Sequence, residues 1–224
     1  MAPVSTGLYE VLEGYDIDEL QKKIGEVQLS RDEPKVDGPL RTRFDDIHET
    51  STGFSASMAF ELPKKRSTWD GREYRREKTT VRVRFTDSVG DGGVLVIGKS
   101  DLHSQIESRL LDLFSIEADQ IEKVNIDTEN ILSILDDDCI VESRATYKGV
   151  DENTSSASLA GELEESSTAA RLEKTGQKVW VIFESKSFER KVGISEKNSS
   201  VVFWGNWDDD EMARYWSRII LHHI

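Results

Sequence analysis

The sequence predicts an α+β fold: a tandem duplication of a helix, three-strand, helix unit, with its strands in one antiparallel sheet, helices packed on one face and an internal pseudo-dyad. Three observations carry this expectation. Ser55 to Leu62 reads Ser-Ala-Ser-Met-Ala-Phe-Glu-Leu and returns as Ser156 to Leu163, Ser-Ala-Ser-Leu-Ala-Gly-Glu-Leu, at an offset of 101. Val81-x-Val83-x-Phe85 returns in the same order as Val179-x-Val181-x-Phe183. Ser108-Arg109-Leu110-Leu111 returns as Ser217-Arg218-Ile219-Ile220. The expected repeats are residues 1–116, including an N-terminal helix and an acidic arm at 29–52, and residues 117–224.

Each repeat opens on a short helix with an aspartate cap. In the first, Leu20 and Ile24 lie four apart behind Asp16 or Asp18; in the second, Asp127 precedes Ile131, Leu132, Ile134 and Leu135. Residues 29–52 contain Pro34, Gly38-Pro39 and six acids between Asp32 and Glu49, without periodicity, and read as an exposed arm. In the second repeat Cys139 to Tyr147 reads instead as a strand. The Ser-Ala-Ser segments read as strands of small side chains, each followed by a long connection. In the alternating strands that follow, Val81, Val83 and Phe85, like Val179, Val181 and Phe183, face the helices. The opposite face carries Arg82 and Arg84 in one copy and Trp180 and Ile182 in the other. A third strand, Val94 to Ile97 or Val201 to Trp204, is apolar on both faces. The closing helices are marked by Leu102, Ile106, Leu110, Leu113 and Phe114, and by the capping-box pattern of Asp208 and Glu211 ahead of Met212, Tyr215, Trp216 and Ile219.

The chain of 224 residues carries a net charge of -14, unevenly spread. Residues 1–112 hold 17 basic and 21 acidic side chains, and residues 113–224 hold 12 and 22. Such a surface repels phosphate on average, so nucleic-acid binding requires a local basic patch. One cysteine excludes a disulfide scaffold, and no apolar run reaches the length of a membrane span. The expectation is a soluble cytoplasmic or otherwise intracellular protein without membrane partners.

That local patch exists. Lys64, Lys65, Arg66, Arg72, Arg75, Arg76, Lys78, Arg82 and Arg84 stand against Asp70, Glu73 and Glu77, and Trp69 and Tyr74 lie among them. Cations interleaved with aromatics suit phosphate contact and base stacking, or an acidic protein partner, or a solvated hairpin folded against the acidic arm. Trp180 and Ile182, joined by Trp204, read as an apolar interface for a partner or a second copy, or as covered core. Glu184-x-Lys186 matches the end of a Mg²⁺ nuclease signature, but such a short pattern arises by chance. The runs Asp136 to Asp138 and Asp208 to Glu211 read as helix caps and dipole partners, and the four histidines have no ligand spacing. No cofactor, metal or catalytic residue is expected. The leading expectation is a non-enzymatic binding or adaptor protein that self-associates through the apolar face; a nucleic-acid-binding regulator using residues 64–84 is the alternative, and a Mg²⁺ nuclease ranks last.

Overall fold

A computed structural model describes residues 2–11, 16–69, 71–87, 92–114 and 120–224. Contacts divide the chain into Tyr9–Glu122 and a second unit, Lys123–Ile224 with Met1–Leu8. The fold is mixed α+β, with antiparallel strand pairs and helices packed on sheet faces. Strand β1 (Val4–Val11) contributes to both units. The expected repeat boundary at 116/117 lies outside the described residues.

The N-terminal unit continues with α1 (Ile17–Ile24), β2 (Gln28–Arg31), β3 (Leu40–Thr50), β4 (Gly53–Thr68), β5 (Gly71–Thr86), β6 (Gly93–Ile97) and α2 (His103–Phe114). Its strand order is β2-β3-β4-β5-β6-β1. Asp16 caps α1 by accepting from the Glu19 N–H at 2.9 Å, as its sequence position predicts. Alternation puts Phe54, Ala56, Met58 and Phe60 of β4 and Val81, Val83 and Phe85 of β5 on one face, where Ile24 of α1 and Ile106 and Leu110 of α2 cover them. Phe54 and Phe85 stack with centroids 4.6 Å apart. Burying side chains of this size stabilises the unit by about 1.5–3 kcal/mol each.

The acidic arm is a misreading of residues 29–52. They contain β2 and β3, which pair from Gln28 opposite Arg43 to Arg31 opposite Leu40. Leu40, Thr42 and Phe44 alternate inward while Arg41 and Arg43 alternate outward. The alternation is clearest over only five residues, Leu40 to Phe44, and the acids that flank it on both sides made the whole stretch read as an exposed arm.

The C-terminal unit adds β7 (Ile121–Lys123), α3 (Thr128–Asp138), β8 (Cys139–Lys148), β9 (Ser156–Ala160), α4 (Ser167–Thr175), β10 (Gln177–Ser185), β11 (Arg190–Ser195), β12 (Ser200–Phe203) and α5 (Asp209–Tyr215), which widens into a π-type turn at Trp216–Ile220. Here the order is β1-β12-β11-β10-β8-β9, with β7 also on β1. Asp127 and Asp208 each form a full capping box, with Asn130 and Glu211 respectively. Phe188, Phe203, Trp207 and Tyr215 pack as one aromatic cluster with centroids 4.7 to 5.9 Å apart. The buried Asp138 carboxylate accepts from Ser185 Oγ at 2.6 Å and Tyr215 Oη at 3.1 Å.

The recurring octapeptide does not occupy one place twice. Both segments are extended, but Ser55–Leu62 lies in β4 between β3 and β5, whereas Ser156–Ala160 is the edge strand β9. Two further elements depart from expectation. The connection after β9 is the helix α4, capped by Ser166, and β11 stands between the strands that carry Val179 and Val201. Gly193 made β11 unreadable as a strand, because glycine normally weakens one. Its reason is local: a Cβ there would lie 2.8 Å from the Trp204 ring.

Candidate functional site

The β4–β5 hairpin is paired from Gly53 opposite Thr86 to Thr68 opposite Gly71. β3 accompanies β4 only as far as Phe60, and β6 accompanies β5 only from Arg82. Eight residue pairs, from Glu61–Lys78 to Thr68–Gly71, therefore continue as a two-stranded ribbon without a third strand among the described pairs. At about 3.3 Å per residue the ribbon is about 25 Å long.

Directly opposed residues of an antiparallel pair share a face, so register sorts the basic island into two sets. One set prolongs the core face: Lys64 opposite Arg75, Arg66 opposite Glu73, and Glu77 opposite Leu62. Its charges largely cancel, through Lys64–Glu77 at 2.6 Å and Arg75–Glu73 at 3.7 Å. The other face carries Lys65, Tyr74, Arg76, Lys78 and Arg82, and β3 adds Arg41 and Arg43 against Asp45 and Glu61. Alongside Lys78, a groove of about 490 Å³ is lined by Gln28, Ser30, Arg41, Arg43 and Glu61.

The cations of the ribbon differ in how firmly they are held. Arg76 donates to the Asp37 and Pro39 carbonyls and lies 3.9 Å from Glu61, so it anchors the loop after β2 to the ribbon. Lys35 of that loop stands over the Tyr74 ring at 5.8 Å. Lys65, Arg66 and Lys78 are exposed and form no ion pair among the described residues. Trp69 stands wholly in solvent at the tip. Arg72 has its backbone in β5, and its side chain, like residue Asp70, lies outside the described residues.

Arg84 does not belong to the exposed set. It is 1% exposed and donates to Thr52 Oγ1 at 3.0 Å and Ser51 Oγ at 3.3 Å, so it secures the turn between β3 and β4. Its neighbours across the strands are Ser55 and Leu95, both buried, whereas Arg82 two residues earlier remains in solvent. Alternation specified the face but not what covers it.

In the C-terminal unit the expected apolar patch is more closed than its sequence implied. Ile182 is buried, Trp180 and Trp204 are half-buried, and the Trp204 ring lies against Gly193, which pairs with Ile182. Glu184 is exposed, while Lys186 donates to the Asp136 and Asp137 carbonyls at 3.5 and 3.3 Å and so completes the end of α3. Lys186 is thus directed to α3, and no ion pair joins it to Glu184 among the described residues. No group of His, Cys, Asp or Glu among the described residues could hold a metal ion.

The register of β8 and β10 brings together a charged cluster that sequence reasoning missed. Lys178, 5% exposed in its side chain, donates to Glu142 at 2.7 Å and Glu173 at 2.9 Å beside Tyr147 and Cys139, along a hollow of about 540 Å³. Burial pushes the Glu142 carboxyl above its ordinary range, against the pull of Lys178. Burial opposes the charge on Lys178 too, but the two carboxylates prevail and hold its ammonium above the usual value. Burial pushes the Cys139 thiol up to about 11, which leaves it protonated and a poor nucleophile at neutral pH. A pairing irregularity between Lys178 and Trp180 turns Lys178 inward, and nothing in the sequence marks it.

No described helix is long and apolar enough to cross a membrane. No family model matches the chain, and no curated protein matches it in sequence.

Proposed function

We propose that this is a non-enzymatic binding protein whose N-terminal unit engages a polyanionic partner through the β4–β5 ribbon and the adjoining face of β3. The observation that supports the reading is the sorting of charge by strand register. The ribbon projects beyond its sheet, and Lys64–Glu77 and Arg75–Glu73 pair on one face; on the other, where Arg76 pairs with Glu61 and Arg43 with Asp45, Lys65 and Lys78 form no ion pair among the described residues. In a chain of net charge -14, such a concentration of cations overcomes the average repulsion only at short range. Heparin immobilised on a column provides a generic polyanion for the test. The full chain is expected to be retained at low salt and released as salt rises, and the variant Lys65→Glu/Arg66→Glu/Lys78→Glu is expected in the flow-through. Passage of the wild-type chain at low salt would refute the reading.

Self-association through the C-terminal unit is a second reading, favoured by the half-buried Trp180 and Trp204 beside Ile182 on one strand face. A tandem origin also belongs to this proposal, in a register different from the octapeptide match. Counted outward from β1, β6, β5, β4 and β3 correspond to β12, β11, β10 and β8, with α2 and α5 following β6 and β12.

A further inference from the structure

The polyanion can be specified further, on the basis of the reading just given. We infer that the ribbon enters a groove of double-helical DNA, with phosphates on both sides of it and Trp69 against the bases at its tip. Three features of the ribbon argue for a duplex. First, cations stand on both faces: Lys64, Arg66 and Arg75 on one, Lys65 and Lys78 on the other. A single strand or an extended acidic peptide lying along the ribbon would meet one face only, whereas the two walls of a groove meet both. The Lys64–Glu77 and Arg75–Glu73 pairs are solvent-exposed, so their cations can exchange a carboxylate for a phosphate at little cost. Second, a two-stranded ribbon fits the width of the DNA major groove, and eight residue pairs give it the reach to enter. Third, Trp69 stands wholly in solvent at the end of the cationic arm, where its ring is open to a ligand. That placement suits a planar ring that stacks on bases or wedges between them.

The loop after β2 holds the base of the ribbon through Arg76 and Lys35, so the arm is directed before a ligand arrives. Net charge sets a condition on the complex. The acidic remainder of the chain must stay clear of the phosphates, which favours contact confined to the arm and its adjoining strand face.

Fluorescence anisotropy of the full chain at one low salt concentration tests this with four labelled probes: a DNA duplex of mixed sequence, one of its strands alone, an RNA duplex of the same sequence, and polyglutamate. The inference expects the DNA duplex to bind at least tenfold tighter than each other probe. It also expects Trp69→Ala to weaken duplex binding about tenfold without changing the thermal midpoint, since the side chain contacts solvent alone. Tighter binding of the single strand, the RNA duplex or polyglutamate overturns the duplex assignment while leaving the ribbon a polyanion site. An unchanged affinity in Trp69→Ala overturns the role of the tip. Failure of all four probes to bind, together with flow-through on heparin, overturns the underlying reading as well.

Discussion

Lys78 and Lys178 are both strand lysines shortly before a Val-x-Val-x-Phe run, three residues ahead of Val81 and immediately ahead of Val179, yet they have opposite situations. Lys78 is exposed on the β4–β5 ribbon without an ion pair among the described residues, whereas Lys178 is buried between Glu142 and Glu173. Arg82 and Arg84 repeat the difference in burial two residues apart on one strand. A buried cation is committed to internal partners, because separating it from them leaves charge in a poorly solvated site. An exposed cation contributes little to folding, so a ligand can engage it at little cost to stability. Interaction sites in this protein are therefore sought where cations add least to stability.

The largest effect expected from this contrast is at Lys178. Lys178→Ala leaves Glu142 buried beside Glu173 without a counter-charge and should lower unfolding free energy by about 3–5 kcal/mol, measured by urea denaturation. Lys178→Met combined with Glu142→Leu should recover most of that loss, and a double variant as unstable as the single one would show that the cluster acts by packing rather than charge.

A smaller loss, about 1–3 kcal/mol, is expected for Arg84→Met, which gives up charge-assisted bonds to Ser51 and Thr52. Arg82→Met should fall within about 0.5 kcal/mol of wild type. Equal effects at the two positions would contradict the assigned burial.

The half-buried pair Arg190 and Glu211, 2.7 Å apart, lies between these extremes. Burial works to raise the Glu211 carboxyl, but Arg190 and the Asp208 N–H outweigh it and hold the carboxyl below the ordinary range. A depressed folded value means that the stabilisation is complete above the unfolded value, near pH 4.5, and is lost as pH falls through the folded one. Glu211→Gln should thus cost on the order of 1 kcal/mol at neutral pH, with the difference in thermal midpoint from wild type shrinking below about pH 4.5. A gap independent of pH would mean that the carboxylate charge is not what stabilises α5.

The legible parts of the fold were those fixed by local chemistry. Asp127, Asp208 and the choice of Asp16 or Asp18, which the fold resolves to Asp16, marked three helix starts, because a cap needs only a side-chain oxygen near its own backbone. Val81, Val83 and Phe85 revealed a core face by alternation alone. Sheet order was not legible, since an octapeptide of small residues suits the interior strand β4 and the edge strand β9 equally. Of the site, the cations and aromatics of the hairpin were readable, but Arg41 and Arg43 were hidden in a stretch dominated by acids. The burial of Arg84 and Lys178 was not readable either, as it depends on what packs over a face and on a pairing irregularity rather than on residue period.

The salt dependence of duplex-DNA affinity, measured by titration for the wild-type chain and for Lys65→Glu/Arg66→Glu/Lys78→Glu, tests the central claim most directly. Logarithmic affinity should fall linearly with logarithmic salt, and removing three phosphate contacts should make the slope shallower by about 2.7 while stability changes by less than about 1.5 kcal/mol. Identical slopes and affinities for the two proteins would contradict the assignment of the ribbon as the binding element.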